Sequence, residues 1–284
     1  MLNSESIRTK LNKLSVSKKV SAQKMYGMYF LERLLYRIVN SPYKDKFILR
    51  GSSLLYIIES ENMVRPTKDI DLMGIQISNT PEEMVEIFRQ IVKVKCDDGV
   101  TFLPDTVRAT IINQEKEYNG VRIFMDATAF GVKRNISIDI GFDDIITPNP
   151  NVRHFPSMIK DENIPDFDVL TYTVETSLAE KIEAIISKAE YTSRWKDFYD
   201  IWFILNKLNV NMNLLKKALR NTFSHRKTDL DADSIVFSIE YYLNQERSRC
   251  WNMFINKNNI VPKMSFYDVG LFISTTVKDI ISNL

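Results

Sequence analysis

The sequence predicts an α+β protein in which a mixed α/β half is followed by an α-helical half. Two observations carry that prediction. Up to about residue 145, short runs alternate apolar and polar residues, as in Ile70-Asp71-Leu72 and Ile136-Ser137-Ile138-Asp139-Ile140, and segments of helical spacing separate them. After a proline-containing stretch, 147–165, the spacing is helical to the end of the chain. The expected domains are therefore 1–165, an α/β domain with a basic N-terminal helix, and 166–284, a helical domain.

Taken in order, Met25, Met28, Tyr29, Leu31, Leu35 and Ile38 recur at helical spacing from Ser21 to about Val39. Ser41-Pro42 ends that helix, because proline disfavours a helical residue before it. Residues 46–50 read as a short strand stopped by Gly51, and Ser52 or Ser53 can cap a helix through Leu54, Leu55, Ile57 and Ile58. Residues 69–73 alternate with the period of a half-buried strand, which completes a parallel-type strand–helix–strand unit. Residues 81–95 form an amphipathic helix opened by Thr80, Glu82 and Glu83. Strands are expected at 107–112, 121–130 and 135–142, joined as antiparallel hairpins by Tyr118-Asn119-Gly120 and by residues 131–134. Helices are expected over 175–189, 194–208, 212–222, roughly 231–256, and 265–283.

Composition removes several kinds of chemistry. Two histidines (His154, His225) and two cysteines (Cys96, Cys250), all far apart, cannot build a four-ligand zinc site, a four-thiolate iron–sulfur cluster or a disulfide framework. A reducing, cytoplasmic setting is the default. Apolar stretches are too short to span a bilayer, and the first ten residues lack the apolar region of a secretory signal. Catalysis would run on carboxylates, lysines and arginines. The net charge is only +2, but residues 1–50 hold eleven Lys/Arg against three Asp/Glu, a balance of +8 that leaves −6 for the remainder. Such an arm suits a nucleic acid or an acidic protein, and equally a solvated helix face.

Asp69 and Asp71 occupy i and i+2 of a strand, so both carboxylates project from one face. Their repulsion is relieved by a divalent cation, and an all-oxygen donor set favours Mg²⁺ or Mn²⁺ over zinc. Alone, such a pair is common decoration on an exposed strand. Upstream, Gly51-Ser52 sits between strand and helix, where glycine permits close approach of the backbone and a helix N-terminus attracts phosphate. An ordinary turn with a capping serine has the same sequence. Asp139 on a later strand would complete a carboxylate triad, with Asp126, Asp143 and Asp144 as competitors. In the helical half, Lys181 flanks the stripe of Leu178, Ile182, Ile185 and Ile186, while Arg194, Asp197 and Asp200 share one helix face beside Trp195, Phe198, Tyr199 and Trp202.

In order, FILRGSSLLY (47–56), RPTKDIDLMG (65–74), ISIDI (136–140), VETSLAEKIEAI (174–185) and SRWKDFYDIW (193–202) resemble one family, the AbiEii-type nucleotidyltransferases of abortive-infection and toxin–antitoxin systems. The resemblance spans about residues 25–205; the last eighty residues are a generic helical tail. It implies a polymerase-β-like nucleotidyltransferase domain, with the helical domain completing the nucleotide cleft. It also implies Mg²⁺ (or Mn²⁺), an NTP substrate, a cognate antitoxin encoded nearby, and tRNA 3′ ends as acceptors in some relatives. By motif it gives Gly51 and Ser52 to the triphosphate cradle, and Asp69, Asp71 and Asp139 to the metals and catalysis. Lys181, Arg194 and Asp200 fall to nucleotide binding, with Lys181 and Asp197 also counted as catalytic. Gly51-Ser52 stands where many relatives carry two glycines, and the gap from Ser52 to Asp69 is longer than in many nucleotidyltransferases.

The expected function is that of a bacterial phage-resistance toxin transferring a nucleotide from NTP to an RNA or protein hydroxyl, with release of pyrophosphate. A catalytically silent nucleotide- or RNA-binding protein on the same fold is the first alternative, and a helical interaction protein the second. The silent reading gains if Asp139 points into the core.

Overall fold

The computed structural model describes residues 4–58, 70–112, 120–191 and 193–284, with the side chains of Ser52, Ser53, Tyr56 and Glu190 outside that description. The chain divides into two units, Met1–Asp143 with Asn151–Thr171, and Asp144–Pro150 with Tyr172–Leu284. The second unit thus borrows a short segment from within the first, a division finer than the single cut the sequence suggests between 165 and 166.

The first unit begins with α1 (Ser4–Ser17) and α2 (Ala22–Val39). Ser21 caps α2 by accepting the Lys24 N–H at 3.3 Å, and Met25, Tyr29, Phe30, Leu34 and Ile38 bury its apolar face. Each such side chain contributes about 1.5–3 kcal/mol by leaving water. β1 (Phe47–Arg50), α3 (Ser52–Ile58), β2 (Ile70–Gly74), α4 (Pro81–Ile91), β3 (Thr101–Ile112), β4 (Gly120–Ala129), β5 (Val132–Phe142), β6 (Asn151–Phe155) and β7 (Phe167–Thr171) follow. The seven strands form one sheet in the order β3-β4-β5-β2-β1-β7-β6. Pairs β2–β5 and β1–β7 are parallel and the others antiparallel, so the sheet is mixed.

One face of this sheet is core. Ile70 and Leu72 on β2, Val121, Ile123, Met125 and Ala127 on β4, and Ile136, Ile138 and Ile140 on β5 are buried in a cluster with α2 and α4. Their alternating neighbours, including Asp71, Arg122, Phe124, Ser137 and Asp139, lie on the opposite face and are half-exposed.

The expected parallel strand–helix–strand unit is corrected by the register. β1 and β2 pair antiparallel, Phe47 with Gly74 and Arg50 with Asp71. A parallel crossover must carry the chain back to the starting end of the first strand. Here β2 starts at the level where β1 stops, and its parallel neighbour is β5, 68 positions later in the sequence, with Ile70 paired to Ile138. The basic arm is also less basic at its surface than composition implies. Arg37 donates to both carboxylate oxygens of Asp98, at 2.7 and 3.1 Å, and buried Arg33 lies 2.8 Å from Glu32.

The second unit holds α5 (Val174–Lys188), α6 (Trp195–Lys207), α7 (Met212–His225), α8 (Ile239–Leu243), α9 (Gln245–Asn258) and α10 (Phe266–Ser282). Its core is aromatic: Phe198, Tyr241, Tyr242, Trp251 and Phe266 meet with ring centroids 5.1–6.3 Å apart. The single helix expected over 231–256 is instead a 3₁₀ turn (Ile235–Phe237), α8 and α9. Ser238 and Asn244 each cap a new helix start, accepting the N–H of Tyr241 and Arg247, and so break the run. Among the described residues no helix is long and apolar enough to cross a membrane.

Candidate active site

The antiparallel turn from β1 into α3 places Gly51 beside the start of β2. Gly51 has φ +69°, a left-handed conformation that side-chain-bearing residues adopt only at a cost. A Cβ there would overlap Oδ2 of Asp71 and lie 3.0 Å from its Cγ. Two independent constraints, backbone angle and close approach, therefore demand glycine at this bend. Ser52 opens α3, with its side chain outside the described set.

Asp71 is the register partner of Asp139 in the parallel pair β2–β5. Adjacent strands lie about 4.8 Å apart, so the two carboxylates project side by side from the polar face. Asp139 is in turn the register partner of Arg122 on β4, whose guanidinium donates from Nε to Oδ1 and from Nη2 to Oδ2, each at 2.6 Å. On the other flank Arg50 is the partner of Asp71, and its guanidinium lies over Gly141, where a Cβ would overlap it. A single row across four strands thus reads Arg50, Asp71, Asp139, Arg122, two anions between two cations.

The competing acids stand elsewhere. Asp126 is the partner of Asn135, accepts its Nδ2–H at 2.9 Å and pairs with Lys133 at 3.0 Å; those two interactions hold its carboxyl below the usual range. It sits about 13 Å along β4 from Arg122. Asp143 takes φ +64° just past β5, and Asp144 belongs to the helical unit, where it pairs with Arg226 at 3.1 Å. Asp69 lies outside the described residues. Among those described, no three His, Cys, Asp or Glu side chains gather closely enough to hold a metal ion. The chemistry of the Asp71–Asp139 pair nonetheless fits a divalent cation, since both donors are hard oxygens from adjacent strands.

In the helical unit the four predicted residues come together. Lys181 on α5 donates to Asp197 Oδ1 at 3.1 Å and to Asp200 Oδ2 at 2.8 Å, both on α6. Arg194, at the N-cap of α6, donates to Asp197 Oδ2 at 3.1 Å. The spacing i, i+3, i+6 puts these acids on one helix face, and α5 packs its Lys181 against that face. Lys181, Asp197 and Asp200 are all buried, where the spacing alone allowed an exposed lysine and a surface ion pair. Nearby on the same unit, Arg226 joins Asp144, Glu180 and Glu183 at 2.8–3.1 Å. Burial alone would lower its pKa, but these three acids reverse that and hold it above its ordinary value.

Sequence reading gave no role to Arg122, Arg50 or Gly141. Arg122 was within reach of a simple argument. Phe130 and Gly131, at φ +39° and +77°, form a two-residue hairpin turn between Ala129 and Val132. Counting outward from that turn brings Arg122 opposite Asp139.

No curated protein sequence matches the chain. Among solved structures it is similar to JHP933 from Helicobacter pylori, at 12% identity and a TM-score of 0.54, covering 93% of this chain and 94% of that one. It is equally similar to an H. pylori protein named as a candidate nucleotidyltransferase, at 12% identity and a TM-score of 0.54, with coverage of 93% and 97%. Likeness at this identity concerns the fold, which is α+β with a mixed sheet and polymerase-β-like. The family model of the AbiEii nucleotidyl transferase toxins matches residues 33–264 and so takes in the glycine bend, both strand carboxylates and the Lys181 constellation. The chain belongs to the AbiEii nucleotidyl transferase toxin family of type IV toxin–antitoxin systems.

Proposed function

We propose that this protein transfers a nucleotide from an NTP to an acceptor hydroxyl, with the 3′ end of a tRNA as acceptor, as the toxin of an abortive-infection system. The observation that carries this reading is the in-register pair Asp71–Asp139 beside the Gly51 bend. In the step itself the acceptor oxygen bonds to the α-phosphorus, the α–β bridging P–O bond breaks, and pyrophosphate leaves. The acceptor proton passes to a carboxylate oxygen of Asp139. Asp69, Asp71 and Asp139 are the residues that would hold Mg²⁺, which when bound aligns the reacting oxygens and stabilises charge on the α-phosphate. Gly51 and Ser52 receive the triphosphate at the start of α3, where backbone N–H groups point outward. The Lys181 amine, held by Asp197 and Asp200, is the cation assigned to the nucleotide phosphates, with Arg194 beside it.

The silent-binding alternative gains where the third acid turns inward. β5 buries Ile136, Ile138 and Ile140 instead and leaves Asp139 on the polar face, which supports the catalytic reading. The test incubates purified protein with each α-labelled NTP, Mg²⁺ and total RNA. Labelled RNA is expected with the wild type and lost, by several orders of magnitude, in Asp69→Ala and Asp71→Ala. Undiminished transfer and growth inhibition in either variant would refute the mechanism.

A further inference from the structure

Arg122 occupies the carboxylate that the functional reading gives to a cation. Its fork engages both oxygens of Asp139, at 2.6 Å each, so a guanidinium and a metal ion compete for the charge and the approach to the same two oxygens. Asp71 stands in register beside Asp139, and two carboxylates one strand spacing apart repel unless a positive charge lies against them. Arg122 supplies that charge from one flank. Its side chain is 43% exposed and that of Asp139 26%, so water reaches the pair and it can exchange. The two-residue turn at Phe130-Gly131 fixes the register of β4 on β5 and so sets Arg122 opposite Asp139.

We propose that Arg122 is a resident counter-ion of the acid pair, displaced from Asp139 when a divalent cation binds, and that this competition sets the cation affinity. The proposal rests on Asp71 and Asp139 being cation ligands. Arg122 then acts through Asp139 as a positioning residue: it holds the carboxylate on the polar face until the exchange and weakens cation binding by the charge it places there.

The experiment titrates Mn²⁺ into the purified full chain and follows the unbound ion by electron paramagnetic resonance, for wild type, Arg122→Gln, Arg122→Lys and Asp71→Asn. Arg122→Gln removes the competing charge and is expected to bind Mn²⁺ about five- to tenfold tighter than wild type. Arg122→Lys keeps the charge but not the fork and falls between the two. Equal or weaker binding by a folded Arg122→Gln overturns the counter-ion role. Should that variant fail to fold, Arg122→Lys decides in the same way, tighter supporting and equal or weaker overturning. Asp71→Asn separates the two ideas. If it binds Mn²⁺ as the wild type does, the acids are not the ligands and the functional reading fails with the proposal; if it does not, any failure belongs to Arg122 alone.

Discussion

Replacing Gly51 with alanine perturbs the site by one methyl group, and the structure allows the effect to be divided. The backbone contribution is the left-handed angle, φ +69°, which costs an L-residue about 1–2 kcal/mol. The second contribution is steric. The new Cβ would lie 3.0 Å from Cγ of Asp71, against a comfortable ~3.5–4.0 Å between carbons, and closer still to Oδ2. The carboxylate must therefore retreat by roughly 0.5–1 Å, and a misplacement of ~1 Å at a reacting centre costs about 10² in rate. Gly131 provides the control within the same unit: its φ is +77°, and a Cβ there meets nothing within 4 Å. Gly131→Ala should lose about 1–2 kcal/mol in urea unfolding and retain its nucleotide incorporation. Gly51→Ala should lose at least as much stability and about two orders of magnitude in incorporation of α-labelled NTP. If both variants transferred label at the wild-type rate, the close approach of Gly51 to Asp71 would have no part in the chemistry.

Other expectations follow from the buried charges. Lys181→Met removes the amine that Asp197 and Asp200 both accept from, and should cost about 3–5 kcal/mol; adding Asp200→Asn should return at least about 1 kcal/mol. Urea curves of the single and double variants measure this, and a Lys181→Met protein as stable as wild type contradicts it. Glu32 is pushed up to about 7 by burial, against the pull of Arg33 and of the Met158 N–H. An acid with a raised folded pKa binds its proton more tightly when folded, so its contribution is most favourable below the unfolded value near 4.5 and is lost as pH rises towards 7. Between pH 5 and pH 8 the wild type should lose about 2–3 kcal/mol more stability than Glu32→Gln, and parallel pH profiles would count against it.

Much of the architecture could be read from periodicity because one face of each element is buried. β5 alternates Ile136, Ile138 and Ile140 with polar residues, and α2 repeats Met25, Tyr29 and Ile38, so both were legible. β6 and β7 were not: Asn151–Phe155 is largely exposed, and Phe167–Thr171 follows a proline-rich stretch that reads as a linker. For α1 the sequence supported a basic N-terminal helix but not its bounds, since only Ile7, Leu11 and Ser15 are buried along it. The candidate acids were legible as residue types on strands, but pairing was not. Asp71 and Asp139 are 68 positions apart, and only the sheet order brings β5 against β2. The antiparallel run of β1 on β2 escaped for the same reason, because strand direction is settled by non-local partners rather than by the short segment between them.

The turn at Phe130-Gly131 has a consequence for how this chain can vary. Side chains alternate along a strand, so one residue inserted or deleted in that bend would slide β4 by a single step against β5. Val121, Ile123 and Met125 would then face water in the same event that separated Arg122 from Asp139. Length variation at this hairpin is thus barred twice, and natural relatives that keep the acid pair should keep a two-residue bend there even where neighbouring loops differ in length.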